Sequence, residues 1–171
     1  MKPEWTLMIN EEVKKQYNAN FLRVMNYPEW LANVVLVPNK DGDVRMCVDF
    51  RDLNKATAKG DFPLPHINII VDNTAKHALL SFMNGFSGHN QIKMALEDME
   101  KTSIITPWGT YCYKVIPFGL KNVGATYQRV ATTLLHDLIH KEVEVYVDDM
   151  LMKSKDCEGH ILALQKFFEW I

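Results

Sequence analysis

The chain has 171 residues, of which 47% are apolar and 23% charged, the balance of a globular domain rather than a disordered one. That length suits one sizeable domain, and its formal net charge of −2 argues against a simple nucleic-acid binder, in which a basic excess is expected. Apolar runs fall short of the roughly 18 residues that span a bilayer, and Met1-Lys2-Pro3-Glu4-Trp5 carries no secretory pattern. An intracellular protein with no membrane partner is expected. Cys47, Cys112 and Cys157 are widely spaced and form no C-x-x-C pair, so neither a disulfide framework nor a zinc ribbon is supported.

In chain order, Asn10 with Glu11 and Glu12 predicts a helix start, followed by Val13, Tyr17 and Phe21 at four-residue spacing. Ala32 to Pro38 is a β-branched strand that stops at the hairpin signal Asn39-Lys40-Asp41-Gly42, and Arg45 to Phe50 is the returning strand. The prolines of Asp61-Phe62-Pro63-Leu64-Pro65-His66 require an extended segment. A helix is expected over about Ile67 to Asn73, and a strand over Ala78 to Met83 that ends at Asn84-Gly85. Thr102 to Ile105 and Tyr111 to Ile116 are strands about the turn Pro107-Trp108-Gly109. Gly124 to His140 is a helix with Tyr127, Val130, Leu134 and Leu138 on one face. Glu142 to Met152 alternates as a hairpin, with Val143, Val145 and Val147 pointing one way and Asp148-Asp149 at the tip. Glu158 to Ile171 returns to helical spacing through Ile161, Leu164, Phe168 and Ile171. Strands and helices without a strict βαβ rhythm indicate an α+β fold.

The chemistry concentrates at the hairpin tip. Transfer of a nucleotidyl group needs hard anionic oxygens on rigid backbone to hold Mg²⁺, and Tyr146-Val147-Asp148-Asp149 offers two carboxylates between apolar strands. A solvated turn is the simpler reading of this segment alone, because Asp favours turns. Adjacent like charges that repel unless a cation intervenes add weight to a metal site.

Several further segments resemble, in order and spacing, the reverse transcriptases of gypsy-type long-terminal-repeat retrotransposons. They are Arg45-Met46-Cys47-Val48-Asp49-Phe50-Arg51-Asp52-Leu53-Asn54-Lys55, Asp61-Phe62-Pro63-Leu64-Pro65, Phe86-Ser87-Gly88 with Gln91-Ile92-Lys93-Met94, and Ile116-Pro117-Phe118-Gly119-Leu120-Lys121-Asn122. With Tyr146-Val147-Asp148-Asp149 they cover the chain from about Tyr27 to Lys155. The resemblance implies a right-hand polymerase fold reduced to fingers (roughly 25–76 and 86–116) and palm (roughly 77–85 and 117–155), with the start of a thumb-side helix at 156–171. It implies an RNA-directed DNA polymerase that uses two Mg²⁺ or Mn²⁺ ions, a primed RNA or DNA template and deoxynucleoside triphosphates. RNase H, protease and integrase would be its partners within a polyprotein, in the cytoplasm, a virus-like particle or the nucleus.

By the same resemblance Asp148 and Asp149 are metal ligands; Lys40, Arg45, His89, Phe118 and Gly119 meet the nucleotide; Arg51 and Tyr146 lie on the nucleic-acid side. Arg51 reads equally well as a solvated surface charge. Two positions depart from the family pattern: Asn84 stands where the third catalytic aspartate is expected, and His89 where a larger aromatic residue excludes ribonucleotides. A neutral amide is held weakly by Mg²⁺ against water, so impaired catalysis is expected. The rival expectation is a non-catalytic remnant, or a fold reused to bind nucleic acid or a partner.

Other features carry less. His136-Asp137-Leu138-Ile139-His140 has zincin-like histidine spacing but the wrong carboxylate and no third ligand, so a cationic helix end is the better reading. His66, His77 and His160 are expected to be structural or exposed, Trp30, Trp108 and Trp170 core or rim, and the methionines packing.

Overall fold

The structure, a computed structural model, describes residues 3–38, 44–85 and 88–170. In chain order its elements are α1 (Pro3–Asn18), β1 (Leu22–Val24), β2 (Ala32–Pro38), β3 (Val44–Val48), α2 (Arg51–Ala56), α3 (Ile67–Thr74), β4 (Leu79–Asn84), α4 (Leu96–Met99), β5 (Ile104–Thr106), β6 (Gly109–Tyr113), α5 (Val123–Leu134), β7 (Val143–Tyr146), β8 (Asp149–Ser154) and α6 (Cys157–Trp170). Single 3₁₀ turns sit at Gly88–Gln91 and Glu100–Thr102. The chain divides into two compact units, residues 1–59 with 89–123 and residues 60–88 with 124–171.

The first unit carries a five-stranded sheet in the order β1-β6-β5-β2-β3. Only β2 and β5 run parallel; the other pairs are antiparallel. Alternation along β2 and β3 half-buries Val34, Leu36, Met46 and Val48 on one side. These pack on a core of Ile9 and Val13 from α1 with Leu22, Phe50, Ile104 and Tyr113. Helix α1 begins at Pro3, well before Asn10, which therefore lies inside it. A proline fits a first helical turn, where its missing N–H would go unpaired anyway. The helix buries Ile9 and Val13, while Tyr17 stays largely exposed and Phe21 lies beyond its end. The hairpin turn expected at Asn39 to Gly42 lies outside the described residues, but its flanking strands pair from Val34↔Val48 to Pro38↔Val44.

In the second unit, the antiparallel order is β4-β8-β7. Opposed residues in such a pair share a face. Ser81, Met83, Met150, Met152, Val143 and Val145 therefore occupy one side, which α6 helps to cover. Leu80, Phe82, Asn84, Asp149, Leu151, Lys153, Glu144 and Tyr146 occupy the other. His160 of α6 fastens the covered side, its ring nitrogens bonding the hydroxyls of Ser81 and Ser154. The buried line of α6 is accordingly His160, Ala163 and Phe167, one position round from the expected stripe; Ile161 and Phe168 face solvent.

Helix α5 stops at Leu134 rather than His140. Beyond Leu134 the chain tightens: the Leu138 N–H donates to the Leu135 carbonyl three residues back at 2.9 Å, both leucines stay buried, and His140 takes φ +64°. The histidine-rich run is thus a turn, and among the described residues no group of three or more His, Cys, Asp or Glu side chains gathers to hold a metal. No described helix is long and apolar enough to cross a membrane.

On the opposite side of this sheet, Lys153 and Glu144 form an ion pair at 2.6 Å with each side chain only 1% exposed. Lys153 also donates to the carbonyls of Asn73, at the end of α3, and His140, while His140 Nδ1 lies 2.9 Å from the second Glu144 oxygen. The pair ties α3, the turn after α5 and two strands together. Glu144→Ala leaves the Lys153 ammonium buried without its countercharge and is expected to cost about 3–5 kcal/mol. Removing the more exposed Lys166–Glu142 pair should cost less than about 1 kcal/mol. Urea midpoints of the two variants measure the contrast, and equal midpoints would refute it.

Candidate active site

Strand register assembles three of the expected residues. Asn84 at the end of β4 stands opposite Asp149 at the start of β8, and Tyr146 at the end of β7 stands opposite Asp149 on its other side. The hairpin closes with a two-residue turn of Val147 and Asp148, so the tip lies one residue earlier than the sequence indicates. Val147 does not continue the apolar side of β7; it sits in the turn at φ +53°. A β-branched residue in that left-handed region costs on the order of 1–3 kcal/mol and persists only where neighbours hold it.

The neighbours are specific. Gln128, buried on α5, accepts from the Val147 N–H at 2.6 Å and donates to the Val145 carbonyl at 3.0 Å. The Gly85 N–H donates to the Asp148 carbonyl at 2.7 Å, extending the β4–β8 pairing into the turn. Tyr127, next to Gln128 and also buried, lays its ring against Gly85 and Gly88. A Cβ at Gly85 would lie 2.5 Å from the Tyr127 hydroxyl, and one at Gly88 would lie 2.6 Å from the ring. Neither position tolerates a side chain unless the tyrosine moves. Burial, and then the charge of Asp148, raise the Tyr127 pKa, so this hydroxyl stays protonated.

Within this frame one Asp148 carboxylate oxygen, Oδ1, is buried with no hydrogen-bond partner among the described residues. Such an atom is costly unless a cation or water meets it. Asp149 and Asn84 are exposed beside it. The donor set is therefore two carboxylates and one amide. It fits a hard divalent cation, with less negative charge than three carboxylates would supply.

The residues expected to meet a nucleotide lie in the first unit, apart from Lys40, which is outside the described residues. The His89 and Phe118 rings are 5.9 Å apart at 52°, and Gly119 follows Phe118 with φ +99°, a conformation suited to glycine. Arg45 stands elsewhere in that unit, exposed on β3 and lining a cleft with Glu11, Glu12 and Lys15 of α1. Arg51 is engaged: its guanidinium holds Asp49 at 2.6 and 2.8 Å. That contact lowers the Asp49 pKa to about 2.

Sequence reasoning missed Gln128 and placed Tyr127 merely on an apolar face. The signal lay in the period: Gln128, Ala131, Leu135 and Leu138 are the positions that become buried. A glutamine at the head of that line has to satisfy both ends of its amide inside the protein.

Solved structures of the native prototype foamy virus protease–reverse transcriptase and of a foamy viral protease–reverse transcriptase in complex with an RNA/DNA hybrid superpose on the chain with TM-scores of 0.83 and 0.88. Identities are 23% and 19%, over 92% and 99% of this chain and 21% and 22% of those chains. The fold is thus a fragment of a right-hand polymerase. Among curated proteins, the Pol polyproteins of the Drosophila melanogaster transposons opus and gypsy are 35% and 33% identical over 79% and 90% of this chain. The chain spans only 14% and 15% of those polyproteins. An RNA-directed DNA polymerase homolog of Oenothera berteroana is 33% identical over 71% of this chain and 88% of its own length. The reverse transcriptase (RNA-dependent DNA polymerase) family profile matches residues 37–171, and the chain belongs to that family.

Two measurements probe this geometry. Gln128→Met strands the Val147 N–H and the Val145 carbonyl, and each buried group left unpaired costs about 1–3 kcal/mol. A clear drop in melting temperature is expected; an unchanged one would show that the turn does not depend on Gln128. Carboxyl titration by NMR should place Asp49 at about 2, and Arg51→Ala should return it toward 3.8. Because the folded value lies below the ordinary one, the pair's contribution is present above about pH 4 and lost as pH falls toward 2.

Proposed function

We propose that this chain is the fingers-and-palm part of an RNA-directed DNA polymerase, the first unit acting as fingers and the second as palm, with its catalytic centre weakened at Asn84. The observation that carries this reading is the buried Asp148 oxygen with no partner among the described residues, next in sequence to Asp149, which strand pairing sets opposite Asn84.

In this reading Asp148 and Asp149 hold Mg²⁺ or Mn²⁺. Such ions, when bound, supply positive charge where negative charge develops during phosphoryl transfer. The chain's own residues do the placing. Lys40 and Arg45 offset the triphosphate charge, His89 and Phe118 flank the deoxynucleotide, and Tyr146 borders the primed template on the open face of the palm sheet. The primer 3′-hydroxyl loses its proton and bonds to the α-phosphorus as pyrophosphate leaves. Arg51, bonded to Asp49 through Nε and Nη2 but 83% exposed, lies on the nucleic-acid side.

Asn84 occupies the place of a third anionic ligand without its charge. Loss of a single electrostatic contact at a reacting centre costs on the order of 10²–10³ in rate, and a charged metal ligand should matter at least as much. His89, smaller than the aromatic residue the family resemblance leads one to expect there, should relax discrimination against ribonucleotides.

Primer extension on poly(rA)/oligo(dT), by the natural chain and Asn84→Asp, each alone and joined to a thumb segment, tests the proposal. The substitution should raise extension by on the order of 10²–10³ in the joined form and tighten Mn²⁺ binding measured by electron paramagnetic resonance. Extension by the natural chain that Asn84→Asp does not improve would sink the impairment. Failure of every form to extend or bind Mn²⁺ would sink the polymerase reading.

A further inference from the structure

Phe118 is 74% exposed, so packing does little to fix its ring. Its direction is set by the backbone around it, and that backbone bends at Gly119 into a conformation few other residues adopt. Something else must hold the bend. The side chain that does so belongs to neither the turn nor its neighbours in sequence.

Asn54 projects from α2 and grips the turn with both ends of its carboxamide. Its Nδ2 donates to the Gly119 carbonyl at 2.8 Å, and its Oδ1 accepts from the Lys121 N–H at 2.7 Å. The grip is returned: Lys121 Nζ donates to the Thr57 carbonyl at 2.8 Å, and Asn122 Nδ2 to the Ala58 carbonyl at 2.9 Å. Four bonds thus join the end of α2 to the segment after Phe118. Asparagine suits this role because it offers a donor and an acceptor on a short stem; aspartate lacks the donor and leucine lacks both.

Resting on the nucleotide pocket proposed above, we infer that Asn54 is a positioning residue for that pocket. Without touching the nucleotide, it fixes the Phe118–Gly119 turn and with it the distance between Phe118 and His89 on which nucleotide and sugar selection depend. An ordinary loop staple would contribute stability alone. A positioning residue changes how the folded protein binds its ligand, because a pocket that must first be ordered binds more weakly.

The test is equilibrium binding of dGTP to the natural full chain, Asn54→Ala and Asn54→Asp, with Lys55→Ala as a control on the same helix, alongside melting temperature and hydrogen exchange at the Lys121 amide. The natural chain and Lys55→Ala should bind alike. Both Asn54 variants should weaken dGTP about tenfold, the effect of roughly one lost hydrogen bond, even at temperatures where they remain folded; Asn54→Ala should also expose the Lys121 amide. A lower melting temperature with unchanged dGTP affinity would reduce Asn54 to a staple and overturn the inference. Failure of the natural chain itself to bind dGTP at millimolar concentration would instead overturn the pocket, and this inference with it.

Discussion

Valine does not rest at positive φ by preference, and the candidate centre depends on one that is held there. The turn at Val147 and Asp148 is what brings Asp149 level with Asn84 and leaves an Asp148 oxygen buried and unanswered. The strain is local, but the restraint comes from two separate stretches of chain, α5 and the segment after β4. Gln128 on α5 holds the backbone before and within the turn, Gly85 after β4 holds its carbonyl, and the Tyr127 ring fills the space that the two glycines leave. Polar bonds made in a buried setting are stringent, because a half-satisfied network is worse than none. The position of the carboxylates therefore follows from the packing of the helix behind the sheet as much as from the hairpin.

The two units solve a similar problem by similar means. In one, a buried glutamine braces a strained valine turn; in the other, an asparagine braces a glycine turn beside an exposed aromatic ring. Both braces are side-chain amides bonded to backbone, and both reach across a long stretch of sequence. An amide provides a donor and an acceptor without charge, so it can fix backbone near anionic ligands without altering the local field.

The legibility of the sequence divides along these lines. Strands β2 and β7 could be read because β-branched and alternating residues imprint a two-residue period, β4 as an apolar run that stops at Asn84-Gly85, and α3 because it follows a proline-bound extended segment. The Asp148-Asp149 pair could be read as the end of a hairpin, and its metal-binding role rests on the family resemblance rather than on the segment alone. Helix α5 was drawn too long because Leu138 fits a helical stripe as well as it fits the tighter turn it occupies. The apolar spacing of α6 points one position off because His160, expected to be structural or exposed, bonds two serines on the sheet and so turns its own side of the helix inward. Gln128 shares its spacing with Ala131, Leu135 and Leu138, but Asn54 has no such signal. Satisfied by distant backbone, it leaves no periodic trace, and only the fold reveals its partners.

The sheet that carries the carboxylates has three strands, with β8 in the middle. Among the described residues β4 is thus an edge strand, and its sequence Leu79-Leu80-Ser81-Phe82-Met83-Asn84 contains no proline and no charge. Phe82 is 77% exposed upon it. Edge strands are ordinarily guarded by charge, proline, a bulge or a covering segment, since unpaired N–H and C=O groups recruit further strands. The strand that presents Asn84 carries none of the first three of these guards within its own six residues, so whatever protects its free edge must come from elsewhere.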